Sequence, residues 1–173
     1  MTDPFTTLGV PRRFTIDPAQ LEQRYRDLSR ATHPDKHVQA APAERRVAAE
    51  RAVAVNEAFR LLKNTQTRAA ALLASVGRTV EEHTRADPAL LMEILELREE
   101  LEQARGAADR VTTVERLRAT VQQHVDAAEQ TIGTAFDRDG TPDAAQIDRA
   151  YEALVKLRYL YRFLEEADSL LEE

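Results

Sequence analysis

A chain of 173 residues, 43% hydrophobic and 31% charged, can fill one long domain or two small ones, and its balance is ordinary for a soluble globular protein. It contains no cysteine, which excludes disulfides, a thiolate nucleophile and any Cys-ligated zinc or iron–sulfur site on this chain. The formal charge of −6 conceals an asymmetry: residues 1–77 carry 12 Lys/Arg against 8 Asp/Glu, a net of +4, whereas residues 78–173 carry 12 against 22, a net of −10. That split suits two partners met at different ends, or an acidic helical surface that simply keeps the protein in solution. The basic excess is too small for a nucleic-acid-binding domain. No run of about 18 apolar residues occurs, and residues 1–10 lack a basic-then-apolar leader, so a cytoplasmic protein without membrane contact is expected.

Low aromatic content, five glycines and no sustained alternating pattern argue for an all-α fold. Asp17-Pro18 supplies an N-cap and an N1 proline, with Gln20 in the capping-box position. Leu21, Tyr25, Leu28 and Thr32 then share one helix face, while Arg26 and Arg30 lie one turn apart on the opposite face. His33-Pro34-Asp35-Lys36 interrupts the pattern. Pro34 lacks an N–H and pushes its predecessor towards extended conformations, so the chain must turn there. Ala48, Ala52, Val55, Phe59 and Leu62 trace the apolar face of a second helix, which makes an antiparallel hairpin with a charged tip.

These residues resemble a family. Pro4-Phe5, Leu8-Gly9-Val10, Tyr25-Arg26, His33-Pro34-Asp35-Lys36, Asn56-Glu57-Ala58-Phe59 and Leu61-Leu62 together are similar to a J-domain, the DnaJ-type module that activates DnaK-type chaperone ATPases. A lone His-Pro-Asp is a weak signal; its agreement with both flanking helices makes it a strong one. The resemblance implies that His33, Pro34, Asp35, Lys36, Tyr25, Arg26 and Arg30 meet the chaperone ATPase. Thr32 and His37 depart from the family, which often carries aromatics at those positions.

Residues 69–76 end at Gly77, a plausible helix stop, and residues 78–87 read as a polar linker between a J-domain at 1–77 and a second domain at 88–173. Asp87-Pro88 and Thr141-Pro142 repeat the cap-plus-proline start. Three helices are expected, at about 88–104, 110–136 and 143 to the end, with short connections near Gly106 and Asp139-Gly140. They form an antiparallel three-helix bundle. Leu90, Ile94, Leu97 and Leu101 make the core stripe of the first; Val111, Val114, Leu117, Val121, Val125, Ala128 and Ile132 that of the second; Ala150, Leu154, Leu157, Tyr161 and Leu164 that of the third.

The first bundle helix carries a second apolar set, Leu91, Met92 and Leu95, bordered by Glu96 and Glu99, and the last carries Tyr151, Val155 and Tyr159. Such sets serve either as core against two neighbours or as an exposed docking patch. Residues 90–101 and 155–160 are similar to those of the HscB co-chaperones of iron–sulfur cluster biogenesis, and the likeness spans the chain. It implies a bundle that binds the scaffold protein IscU through Leu91, Met92, Leu95, Glu96, Glu99 and Tyr159 and delivers it to the chaperone HscA. Gln103 replaces an acid that relatives often carry, and the cysteine-rich module of animal relatives is not expected in this cysteine-free sequence.

No Gly-rich phosphate loop, Gly-x-Ser-x-Gly elbow or His-Glu-x-x-His helix is present, so the chain is expected to act as an activator and not as an enzyme, without cofactor. His33, Asp35 and His37 are poorly spaced for a metal, because Pro34 breaks the helical geometry that brings i and i+4 ligands together. His83 falls in the linker and His124 on the bundle. A J-protein with a different client, and a purely structural helical protein with an accidental His-Pro-Asp, are the competing readings.

Overall fold

The computed structural model describes residues 3–37, 39–81 and 84–172, and every regular element among them is helical. The elements are α1 (Pro4–Leu8), α2 (Pro18–Ala31), α3 (Pro42–Lys63), α4 (Thr65–Ser75), α5 (Pro88–Ala104), α6 (Arg110–Phe136) and α7 (Ala144–Glu172), with a 3-10 turn at Pro34–His37. Contacts divide the chain into one unit of Met1–Gly77 with Phe136–Thr141 and another of Arg78–Ala135 with Pro142–Glu173. His83 lies outside the described residues.

The first unit is built on the α2–α3 hairpin. Asp3 starts α1 by accepting from the Thr6 N–H at 3.0 Å, and Gly9, at φ +64°, closes it in the left-handed conformation that glycine adopts without strain. Phe5 and Leu8 are thereby buried. Asp17 caps α2 through the Ala19 N–H, as expected from Asp17-Pro18. Leu21 on α2 and Ala48, Val55, Ala58 and Leu62 on α3 are buried, whereas Ala52 and Phe59 stay half-buried. The chain breaks between α3 and α4 at Asn64, whose extended backbone ends one helix and whose side chain caps the next through the Thr67 N–H. Within this unit Asp137 holds residues 14–15, its carboxylate accepting from the N–H of Phe14 (2.7 Å), the N–H of Thr15 (2.9 Å) and the Thr15 hydroxyl (2.6 Å). By contacts, residues 136–141 group with the first unit, where Asp137 makes these three convergent hydrogen bonds.

The second unit is an antiparallel three-helix bundle whose register is fixed by cross-helix contacts. Glu93 and Glu100 of α5 meet His124 and Arg116 of α6, numbers running in opposite senses. Glu129 and Arg118 of α6 meet Tyr161 and Asp168 of α7 in the same way. Val114, Leu117, Val121, Val125, Ala128 and Ile132 are buried as the spacing requires. Val111 is not: it sits in the first turn of α6 and is 50% exposed, because the core stripe begins one turn later. On α7 Val155 is buried in the core, so it belongs to no spare face. The cap of helix α7 falls two residues beyond the expected Thr141, at Asp143, through a reciprocal pair in which the Gln146 N–H donates to Asp143 Oδ1 (2.8 Å) and the Asp143 N–H donates to Gln146 Oε1 (2.9 Å). The described residues of 78–87 are irregular and fastened to α7: the Arg78 guanidinium lies 4.3 Å from the Tyr151 ring centre, and Arg158 donates to the Glu81 carbonyl at 2.8 Å.

Candidate functional site

The His-Pro-Asp segment lies where α2 ends. The Thr32 hydroxyl and N–H both donate to the Leu28 carbonyl, closing the last turn, and the following X-Pro step cannot continue the helix. The chain then makes a 3-10 turn, with the Lys36 N–H donating to the His33 carbonyl at 3.0 Å. The Asp35 N–H donates to His33 Nδ1 at 3.3 Å, and Asp35 Oδ2 stands 3.5 Å from the same nitrogen. The imidazole thus braces the turn while itself largely open to water, and the carboxylate is 86% exposed. Among the described residues no lysine or arginine pairs with Asp35. An outward carboxylate on a braced turn can accept a charge-assisted hydrogen bond from a cation on another protein.

The other residues singled out on α2 divide. Arg30 is exposed and makes no ion pair or hydrogen bond among the described residues. Arg26 leans back on Glu22 (3.5 Å) and Gln23 (3.0 Å), and Asp27 shares this surface, so the basic face is partly neutralised. Tyr25 is not on that face: its ring stacks on Phe59 at 4.2 Å between centroids, and its hydroxyl donates to Asn56 Oδ1 at 2.9 Å. Lys36 is exposed beside Asp35.

On the bundle, Leu91, Met92 and Leu95 are 37%, 57% and 49% exposed, three of the large apolar side chains left open to water among the described residues. Glu96 and Glu99 border them, exposed and without ion partners among the described residues. The α5 core is carried by Ile94, Leu101 and Ala104, with Leu90 and Leu97 half-buried. The second apolar set therefore does not complete the core. Pairs Glu93–Lys156 and Arg98–Glu166 have offsets of 63 and 68 residues, so Leu91 and Leu95 lie level with residues 154–163 of α7, the stretch holding half-buried Tyr159. Sequence reasoning missed Arg98, which ties α5 to Glu166 of α7 at 2.7 Å beside this level. Only its place on the turn after Leu95 could have signalled it. Among the described residues no three His, Cys, Asp or Glu side chains gather as metal ligands, and no helix is long and apolar enough to cross a membrane.

A braced His-Pro-Asp turn at the tip of a helical hairpin, followed in sequence by a three-helix bundle, defines a J-domain co-chaperone. Residues 3–71 match the DnaJ domain, and residues 86–168 match the HSCB C-terminal oligomerisation domain. The chain is 39% identical over 140 residues to the co-chaperone protein HscB homolog of Bordetella pertussis, covering 80% of this chain and 81% of that one. It is 34% identical over 172 residues to the homolog of Azoarcus sp., covering 98% and 94%. The fold superposes on the chaperone HscB from Vibrio cholerae with a TM-score of 0.83 at 26% identity, over 99% of this chain and 98% of that one. Against human co-chaperone protein HscB the TM-score is 0.81 at 26% identity, over 98% and 82%. The chain belongs to the HscB co-chaperone family.

Proposed function

We propose that this co-chaperone holds an iron–sulfur scaffold protein of the IscU type on its bundle while its J-domain stimulates the ATPase of a DnaK/HscA-class chaperone. We assign the first role to residues 88–173 and the second to residues 1–77, joined by 78–87. One observation carries the reading: a single chain presents an outward Asp35 carboxylate on a braced turn and a separate open apolar patch at Leu91, Met92 and Leu95. Asp35 pairs with a cation of the ATPase, His33 keeps the turn in shape, and Arg30, with Arg26 and Lys36, steers the encounter through its field. The patch takes an apolar surface of the scaffold, with Glu96 and Glu99 facing basic groups and Tyr159 at its edge. Holding both proteins on one chain raises the local concentration of scaffold near its chaperone.

Calorimetric titration with an IscU-type scaffold, together with phosphate release by the chaperone, tests the two roles separately. Binding that Leu91→Ala/Leu95→Ala removes, and stimulation that Asp35→Asn removes, is the expected result. Stimulation without scaffold binding would leave a J-protein for a different client.

A further inference from the structure

Helix α5 carries the open patch on one side and an unfilled space on the other. In its first nine residues, 88–96, only Ile94 is buried. Beneath it lies a cleft of about 730 Å³, walled by Leu90 and Glu93 of α5, His124 and Ala128 of α6, and Ala153 and Lys156 of α7. Ala127, Ala128 and Ala153 line the cleft beside Tyr151 and Val155, and with only Ile94 of residues 88–96 buried, dispersion contributes less to seating this half of the helix than the other. The other half is held by buried Leu101 and Ala104 and by the Arg98–Glu166 and Arg116–Glu100 pairs.

One side chain spans the cleft. Glu93 Oε1 stands 2.9 Å from His124 Nδ1, off the line of an ideal hydrogen bond, and Glu93 Oε2 stands 4.0 Å from Lys156 Nζ. The contact to Lys156 of α7 is therefore electrostatic and that to His124 of α6 a close polar approach, both from a carboxylate one residue away from Met92 and two from Leu91 and Leu95. On helical geometry at about 100° per residue, Glu93 points roughly 160° away from Leu91 and Leu95, so it touches the cleft and not whatever docks on the patch.

We propose that Glu93 is a positioning residue: by bridging His124 and Lys156 across the cleft it holds the N-terminal half of α5, and so sets Leu91, Met92 and Leu95 for a docked partner. The inference rests on reading the patch as a docking site. The three side chains are each about one-third exposed, so water screens the bridge and its worth is modest. A modest interaction is decisive where little else holds the segment, because local opening is governed by local contacts.

The test is amide hydrogen exchange on the full chain, for wild type, Glu93→Gln, Lys156→Met and the double variant, followed by titration with an IscU-type scaffold. Glu93→Gln is expected to speed exchange across residues 90–97 about 3- to 5-fold while residues 114–132 keep their protection. The double variant should exchange no faster than Glu93→Gln, since both changes remove one bridge. Glu93→Gln should also weaken scaffold binding, and wild-type affinity in that variant would overturn the positioning role. Unchanged exchange in α5, or equal acceleration in all three helices, would overturn the inference whatever the titration gives. Failure of the wild type itself to bind, with α5 still dependent on Glu93, would instead overturn the docking reading.

Discussion

The ring of Tyr25 stacks on Phe59, 4.2 Å between centroids and 14° from parallel, and its hydroxyl reaches Asn56 on the same helix at 2.9 Å. Two helices of the J-domain hairpin are thus joined by one side chain through both faces of its chemistry. Tyr25→Phe keeps the stack and should cost about 0.5–1.5 kcal/mol, the net worth of one hydrogen bond. Tyr25→Ala should cost more, about 2–4 kcal/mol, by opening the space between α2 and α3. Urea unfolding of both variants measures this, and equal destabilisation would show that the stack carries nothing.

Asp35→Asn should leave folding stability within about 0.5 kcal/mol, because the carboxylate faces water, yet remove stimulation of the partner ATPase. Of the two arginines, reversal at Arg30 should slow association more than reversal at Arg26, whose charge is already met by Glu22. Stopped-flow association rates across a salt series measure this, since steering fades as salt rises.

Substitutions one residue apart on α5 should separate stability from binding. Ile94→Ala, inside the core at 3% exposure, is expected to cost about 2–5 kcal/mol in thermal or urea unfolding. Leu91→Ala with Leu95→Ala removes half-open side chains and should cost far less stability, while weakening scaffold affinity by more than about 1 kcal/mol. A double variant that unfolds like Ile94→Ala would return both leucines to the core.

Asp137→Ala strips three hydrogen bonds from residues 14–15 at once. The two N–H groups then lose their acceptor, and the expected loss is about 1–3 kcal/mol. Asp137→Asn should recover part of it, because its side-chain carbonyl still accepts. A denaturation midpoint unmoved by the alanine change would show that water replaces the carboxylate without cost.

Acid should loosen the start of the chain through Asp3. Partial burial pushes this carboxyl up, but the hydroxyl and N–H of Thr6 and the Arg12 guanidinium outweigh it, holding Asp3 below its ordinary value of 3.8. A folded value lower than the unfolded one gives stability that is complete above the ordinary carboxylate range and lost as pH falls through the folded value. The stability gap between wild type and Asp3→Asn, which retains a capping oxygen, should therefore shrink below about pH 4. A gap constant with pH would contradict this.

Periodicity and punctuation made much of the molecule legible in sequence. Helix α5 begins and ends where Asp87-Pro88 and residue 104 indicated, α6 spans 110–136 as read, and the Leu91, Met92 and Leu95 stripe is exposed as a helical wheel allows. Other details escaped for physical reasons. Helix α3 starts at Pro42 with no side-chain cap to announce it. Helix α7 is capped by Asp143 with Gln146, which lay hidden behind the stronger-looking Thr141-Pro142. Tyr25 and Arg26 are neighbours on α2, and only the packing of α3 shows that one is a structural tie and the other a partly paired surface charge.

Sequence alone determined what depends on residues near one another in the chain: an all-helical fold, where helices start and stop, the His-Pro-Asp turn, and which apolar residues share a face. Backbone sterics, capping and the 3.6-residue repeat are local physics, and local physics is written in local sequence. Tertiary structure decided which of two apolar faces of α5 meets water, which charges are cancelled, that Asp137 organises residues 14–15, and that Glu93 spans a cleft to two other helices. Each of these depends on side chains from distant segments arriving at one place, and a one-dimensional pattern carries no distance between them.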